Sequence, residues 1–443
     1  MTDNINLRAV ALDILIETEK DEVKAGEYIR SVLDRYGYLD TRDRAFIKKL
    51  TEGTLERRIT LDYVIDRFSR VKTAKMKPVI REVLRMGVFQ LLFMTHVPQS
   101  AVCNEAVKLV RKRHMNGLSG FVNGILRNMI RNPVDIEGLS DLSIKYSMPK
   151  WITERFIEEF GVEKAEDIFR ASLESRPVYI RTNTALITPE ELEKRLVSGG
   201  ISVRKIPEHR GAFEVSDFEA IDRMPEFSEG LFSVQDISSM TVGEFASGDF
   251  SNAQEIYNVT DVPDLPRTLR VIDVCAAPGG KSCHVAELLK DRGTVEARDI
   301  SDRKIDRILE NRDRLGLENL DAVVMDACVH DEESDNTADI LICDLPCSGL
   351  GVMGRKNELK YRVKPEDIAA LAELQRSILK NSVSYLKKGG RLIFSTCTIT
   401  HEESTEQKKW IETELGLVPE AERMYIPSPG GSDGFYAASF RKM

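Results

Sequence analysis

From about residue 269 onward the chain alternates short apolar runs with amphipathic stretches, and this alternation restricts the fold more than anything else in the sequence. Leu269–Val274, Thr294–Ala297, Asp321–Met325, Asp339–Cys343 and Arg391–Ser395 read as strands, while Lys281–Leu289, Arg303–Leu315, Pro365–Leu386 and Glu402–Leu415 read as helices. Strands separated by helix-length connections pair in parallel. Runs such as Ile340–Cys343 carry no polar face, so these strands are expected to be buried on both sides. The expected product is a doubly wound α/β sheet whose ligand crevice lies outside the C-terminal ends of its strands.

The residues at those ends then become informative. Asp273, Asp299, Asp326 and Asp344 end or follow four successive strands. Between the first strand and its helix lies Asp273-Val-Cys-Ala-Ala-Pro-Gly-Gly-Lys281. Its glycine turn lets a ligand approach backbone amides and the positive end of the helix. It is neither G-x-G-x-x-G nor a P-loop. Four carboxylates would repel a pyrophosphate but suit a nucleoside bearing a cationic group, and S-adenosylmethionine fits. Asp299 is placed for the ribose hydroxyls and Asp326 for an adenine amino group. Two further strands end in cysteines: Asp344-Leu-Pro-Cys347 follows one, and Ser395-Thr-Cys397-Thr398 the other.

At 443 residues the chain needs two or three domains. Its seven cysteines (103, 275, 283, 328, 343, 347 and 397) are an odd set, all but Cys103 lying beyond residue 270, unlike a disulfide framework. No metal-ligand spacing occurs among them or the six histidines, so no metal is expected. No apolar run reaches membrane-spanning length, and Met1-Thr-Asp-Asn-Ile-Asn lacks the character of a secretory signal. A cytoplasmic monomer with reduced thiols is expected.

Net charge is −9, yet residues 1–140 hold 24 Lys and Arg against 18 Asp and Glu. The surplus concentrates in Arg67, Arg70, Lys72, Lys75, Lys77, Arg81 and Arg85, and again in Lys108, Arg111, Lys112 and Arg113. Two basic clusters in one small region point to RNA contacts. Residues 5 to about 132 read as amphipathic helices joined by short connections at Gly37, Gly53 and Gly117, as in a bundle that ends at Asn132-Pro133. A mixed stretch follows. Helices are expected over 151–160 and 162–173, strands at Val178–Asn183, 201–206 and 231–234, and a helix opening at Thr188 with Pro189 in its first position. Residues 246–266 read as an acidic loop.

Asp344-Leu-Pro-Cys347-Ser348, Ser395-Thr-Cys397-Thr398 and Cys275-Ala-Ala-Pro-Gly-Gly-Lys281 together resemble the RNA cytosine-5 methyltransferases of the NOL/NOP/Sun family. Leu39-Asp-Thr-Arg-Asp-Arg-Ala-Phe46 and Gly53-Thr-Leu-Glu-Arg-Arg-Ile-Thr-Leu-Asp62 are similar to the NusB-like domain carried by its Sun (RsmB, Fmu) branch, which methylates small-subunit ribosomal RNA. Ser233-Val-Gln-Asp236 and Asp433-Gly-Phe-Tyr436 resemble further segments of that branch. The likeness departs from its pattern at 246–266 and at Ser282-Cys283, where paired threonines would be expected. It implies a multidomain protein: an all-α NusB-like helical bundle over 1–135, a small α/β linking subdomain over 136–235, and a Rossmann-like methyltransferase domain over 236–443.

The same resemblance implies roles. C5 of cytosine is a poor nucleophile, and a thiolate adding to C6 makes it reactive. Cys397 would be that nucleophile, Cys347 the group that promotes elimination, Asp344 the carboxyl at N3, and Lys281 a group that positions Asp344 or lowers a thiol pKa. DNA cytosine-5 methyltransferases use the cysteine equivalent to Cys347 instead, so the second cysteine marks the RNA class. S-adenosylmethionine would sit on Cys275, Ala276, Ala277, Pro278, Gly279, Gly280 and Lys281, with Asp299, Arg303, Asp326 and Asp344. The expected partner is unassembled or partly assembled 16S ribosomal RNA, held by Arg67, Arg70, Lys72, Lys75, Lys77, Arg111, Lys112 and Arg113. Transfer RNA as substrate, or an inactive RNA-binding assembly factor, are the alternatives.

Overall fold

The structure is a computed structural model that describes residues 5–20, 25–257 and 268–443. Residues 1–4 and the part of the acidic stretch from 258 lie outside it. The described chain forms two compact units: one of residues 1–173 with Arg355–Val363, the other of residues 174–354 with 364–443.

The first unit is helical: α1 (Leu7–Thr18), α2 (Ala25–Arg35), α3 (Thr41–Glu56), α4 (Arg58–Phe68), α5 (Pro78–Phe93), α6 (Gln99–Lys112), α7 (Ser119–Arg131), α8 (Leu142–Lys145), α9 (Lys150–Phe160) and α10 (Val162–Ala171). Asn6 and Asp40 cap α1 and α3 by accepting from the amides of Ala9 and Asp43. Leu12, Leu15, Leu50, Leu61, Val64, Leu84, Val110 and Leu126 fill the core between them. Gly53 corrects the expectation of a connection: it lies inside α3, where a Cβ would stand 2.0 Å from the Phe89 ring of α5. Its missing side chain is a packing requirement. The segment Arg355–Val363 belongs to this unit although its chain neighbours do not. There the Tyr361 hydroxyl donates to Glu56 O at 2.8 Å and lies 3.0 Å from Ser147 Oγ, with the Arg58 guanidinium 4.1 Å over its ring.

The second unit holds two sheets. β1 (Val178–Thr182), β2 (Ser202–Lys205), β3 (Ala212–Ser216) and β4 (Phe232–Val234) form an antiparallel sheet in the order β2-β3-β1-β4. The helix Pro189–Ser198 opens with a capping box between Thr188 and Glu191. β3 was not read from the sequence. The large sheet comprises β5 (Glu255–Ile256), β6 (Leu269–Asp273), β7 (Gly293–Asp299), β8 (Leu320–Val324), β9 (Ala338–Asp344), β10 (Leu386–Thr396), β11 (Val418–Tyr425) and β12 (Phe435–Arg441). Its order is β5-β11-β12-β10-β9-β6-β7-β8.

β10, β9, β6, β7 and β8 run parallel, whereas β12, β11 and β5 extend the sheet antiparallel. The acidic stretch therefore begins as the end of helix Ile237–Ser247 and the edge strand β5 rather than as loop. β9 is central and buried on both faces: Ile340 and Ile342 join one core, Leu341 and Cys343 the other. The order reverses between β6 and β9, so the crevice opens where these strands end, at Asp273 and Asp344. No described helix is long and apolar enough to cross a membrane.

Candidate active site

Parallel pairing of β9 with β10 sets Asp344 opposite Ser395, so the turns that follow both strands leave the sheet side by side. This register brings the two cysteines together: Cys347 Sγ lies 3.1 Å from Cys397 Sγ, and both residues are half-buried. Asp344 sits on the same rim. Lys281 Nζ donates to its Oδ2 at 2.6 Å, and Ser395 Oγ to its Oδ1 at 2.7 Å. Lys281 comes from the first turn of helix Gly280–Leu289, and its ammonium also lies 5.3 Å from the centre of the Phe435 ring.

The electrostatics separate the two thiols. The hydrogen bond to Cys397, burial, and the negative charges of Glu403 and Asp344 hold the Cys347 thiol well above the usual range. Burial pulls the Lys281 ammonium down, but Asp344 and Cys397 outweigh it and hold it above the ordinary lysine value. By reciprocity a charged Lys281 favours a Cys397 thiolate.

A carboxylate missed in the sequence holds the two cysteine turns together. Glu403 is wholly buried, yet it sits in the polar run Thr400-His-Glu-Glu, which reads as a solvated helix start. It accepts from the Ser348 amide at 2.8 Å, from Ser348 Oγ at 2.5 Å and from Thr400 Oγ1 at 2.9 Å. The backbones also meet: Gly351 N–H donates to Cys397 O at 3.2 Å, and Gly434 N–H to Gly351 O at 2.8 Å.

On the other side of the crevice, Gly279 takes φ +98 at the turn between β6 and its helix, a conformation that favours glycine. Asp299 is buried; its Oδ2 accepts from Ala277 N–H at 2.9 Å, and its Oδ1 from Ile300 N–H at 2.8 Å and Lys304 Nζ at 2.7 Å. Lys304 reaches that carboxylate from the helix that follows, and the neighbouring Arg303 is exposed. Asp326 is exposed and accepts from Cys328 N–H at 2.9 Å. Asp273 departs from the other three: it is wholly buried, and its Oδ2 accepts from Ser282 Oγ at 2.6 Å. Cys275 is half-buried, and burial with three nearby carboxylates pushes its thiol far up.

These residues fit a nucleoside. Asp299 Oδ2 retains acceptor capacity beyond the Ala277 amide. Ile300 and Val324, at the same ends of β7 and β8, leave 59% and 46% of their surfaces uncovered beside it. Hydroxyl acceptors next to apolar surface are what a ribose and its base require. Among the described residues no group of ligands is arranged for a metal ion.

The basic residues named from the sequence divide. Arg67, Arg70, Lys72, Lys75, Lys77, Arg111 and Lys112 are exposed. Arg113 is half-buried and pairs with Asp13. Arg81 and Arg85 do not extend the basic face: Arg81 pairs with Glu19 at 2.6 Å, and Arg85 with Asp62 at 2.6 Å and buried Glu82 at 2.5 Å.

Comparison with known proteins adds three matches along the chain. Residues 5–131 match the NusB family, residues 148–221 an RsmF/B-like ferredoxin-like domain, and residues 266–441 the family described as 16S rRNA methyltransferase RsmB/F. A probable ribosomal RNA small subunit methyltransferase B of Bacillus subtilis (strain 168) is 33% identical over 99% of both chains. Ribosomal RNA small subunit methyltransferase B of Serratia proteamaculans is 28% identical over the whole of both. The crystal structure of PH0851 shares the fold over all of both chains, with TM-score 0.78 and 23% identity. A methyltransferase homolog protein from Pyrococcus horikoshii aligns with 68% of this chain and 98% of its own, with TM-score 0.58 and 25% identity.

Proposed function

The chain belongs to the RsmB/F family of 16S ribosomal RNA methyltransferases, and from that premise we propose that it methylates C5 of a cytosine through a transient bond between Cys397 and C6 of the base. The observation that carries this reading is the sulfur pair at 3.1 Å, beside the Lys281–Asp344 ion pair, on two adjacent strand ends.

S-adenosylmethionine, the methyl donor, supplies an electrophilic methyl group on a sulfonium when bound. The glycine turn Cys275–Lys281 and Asp299 would hold it, with Arg303, Asp326 and Asp344 as neighbours. Cys397 releases its thiol proton to solvent while Cys347 keeps its own, and the resulting thiolate, favoured by Lys281, adds to C6 of the cytosine. Asp344, oriented by Lys281 and Ser395, stands at N3, where a proton shared between its carboxyl and the ring nitrogen offsets the electron density that addition pushes onto the ring. Once C5 carries the methyl group, its remaining proton must leave before the C6–sulfur bond can break. Cys347, no longer hydrogen-bonded to a free Cys397, gives its thiol proton to solvent and as thiolate accepts the C5 proton; the C5–H electron pair re-forms the C5–C6 double bond and expels Cys397 as thiolate. The target base must leave its stack to reach two half-buried sulfurs, so a loop or flexible site suits best.

Functionally the chain divides as the sequence suggests, with RNA held by 1–135, a linking part over 136–235 and chemistry in 236–443. Arg67, Arg70, Lys72, Lys75, Lys77, Arg111, Lys112 and Arg113 supply phosphate contacts. The test is transfer of labelled methyl from S-adenosylmethionine to unmodified small-subunit RNA and to transfer RNA, followed by bisulfite mapping. One cytosine of the small-subunit RNA should be labelled. Labelling of transfer RNA alone, or of a base other than cytosine, would overturn the proposal.

A further inference from the structure

We propose that Glu403 is a positioning residue that holds the Cys347 and Cys397 turns in register, so that one sulfur can attack while the other remains beside it. The inference rests on the two-cysteine reading above and deepens it.

Glu403 is 0% exposed, and its partners come from both turns. From the Cys347 turn it accepts the amide and hydroxyl of Ser348, the very next residue. From the Cys397 turn it accepts Thr400 Oγ1, while Thr398 Oγ1 lies 3.0 Å from Ser348 Oγ and closes the ring of contacts. A third element joins: Gln375 Nε2 donates to Pro346 O at 2.9 Å and approaches Glu403 Oε1 at 3.4 Å. Both carboxylate oxygens are thus engaged from three directions. A buried carboxylate is costly unless it is so engaged, and here the engagements fix Ser348 and Thr400, each within three positions of a reactive sulfur, while Gln375 also holds Pro346 O beside Cys347.

The charge acts as well as the shape. Burial pushes the Glu403 carboxyl up, while donors from Ser348, Thr400 and Thr398 pull it back toward the ionised form. The charged and titratable groups that face Cys347 are Cys397, Glu403 and Asp344, and Lys281 stands beside Asp344 and Cys397. An ionised Glu403 therefore helps keep the Cys347 thiol protonated.

The experiment compares the full-length wild type with Glu403→Gln, which keeps the shape but replaces one acceptor by a donor and removes the charge. Two quantities are read: steady-state methylation of small-subunit RNA, and the pH midpoint for iodoacetamide alkylation of Cys347, followed by peptide mass spectrometry. The kcat should fall by about ten-fold or more, with KM for RNA held within about three-fold. The alkylation midpoint should move to lower pH, because a negative neighbour has gone. A kcat within about two-fold of wild type, an equal loss in kcat and RNA binding, or an unmoved midpoint would each overturn the proposal. If Glu403→Gln does not fold, Ser348→Ala keeps the carboxylate and removes one donor. A kcat loss at preserved KM then supports the proposal, and a wild-type kcat overturns it. Cys397→Ala in the same assay separates the two levels: its activity would refute the two-cysteine reading, whereas a wild-type-like Glu403→Gln beside an inactive Cys397→Ala refutes only the clamp.

Discussion

Replacing Gly351 with alanine should damage the reaction far more than a single methyl group would suggest. A Cβ built at this position would stand 2.2 Å from Gly434 O, 2.6 Å from Gly434 C and 2.9 Å from Cys397 O. These are backbone atoms, which cannot swing aside as a side chain can. To restore ordinary contact, one segment must retreat by roughly 1 Å, at a cost of about 1–3 kcal/mol. In a unit of this size that lowers Tm by about 2–4 °C for each kcal/mol. The rate should suffer more. The displaced atoms are the ones that hold the Cys397 turn, through Gly351 N–H to Cys397 O and Gly434 N–H to Gly351 O. A reacting sulfur moved by roughly 1 Å can lose about 100-fold in rate. The assay is kcat for methylation of small-subunit RNA at a temperature well below the melt, with RNA affinity and Tm measured alongside. A Gly351→Ala enzyme with kcat within about three-fold of wild type and unchanged Tm would refute the claim that this backbone approach sets the position of Cys397.

Other expectations follow from separate parts of the chain. Burial pushes the Asp273 carboxyl up to about 7, against the pull of Ser282, and Asp344 pushes the same way. The folded state therefore keeps a proton that the unfolded chain releases near pH ~3.9. Relative to Asp273→Asn, wild-type stability should fall as pH rises from about 4 to about 7 and then level off; parallel melting curves across that window would contradict this. Tyr361→Phe removes hydroxyl contacts to Glu56 O and Ser147 Oγ inside the helical unit, and should lower its stability in urea by about 1–3 kcal/mol. Charge removal at exposed Lys72, Lys75 and Lys77 should weaken RNA binding and flatten its dependence on salt, as a titration at two salt concentrations would report. An unchanged slope would leave that face a solvated one.

The sequence was most legible where one physical signal dominated. Ile340–Cys343 of β9 is an apolar run because both its faces are covered, and Asp344 and Cys347 follow from its end. Lys281 and Asp299 follow equally from the turn after β6 and the end of β7. What escaped depends on pairing across the chain. Arg81 and Arg85 look like part of a basic face until Glu19, just past α1, and Asp62, on α4, are brought against them. Gly53 looks like a break until Phe89 fills the space beside it. β11 mixes polar and apolar residues because its Glu420 is buried against Arg391 and Arg441, contacts no local pattern reveals. That Asp273 is buried against Ser282 was not legible, because position at a strand end does not tell how deeply a side chain is covered. Glu403 went unnoticed for a related reason: its donors lie on other turns, and a glutamate in a polar run carries no local sign of burial.

The proposal that one sulfur attacks and its neighbour helps release is tested most directly with Cys347→Ala. The variant is incubated with S-adenosylmethionine and unmodified small-subunit RNA, denatured, and analysed for protein joined to RNA. The two-sulfur mechanism expects a stable covalent complex, with the crosslinked peptide containing Cys397 and bonded to a cytosine that already carries a methyl group. A Cys347→Ala enzyme that turns over freely and forms no such complex, or a complex joined through any other residue, would contradict it.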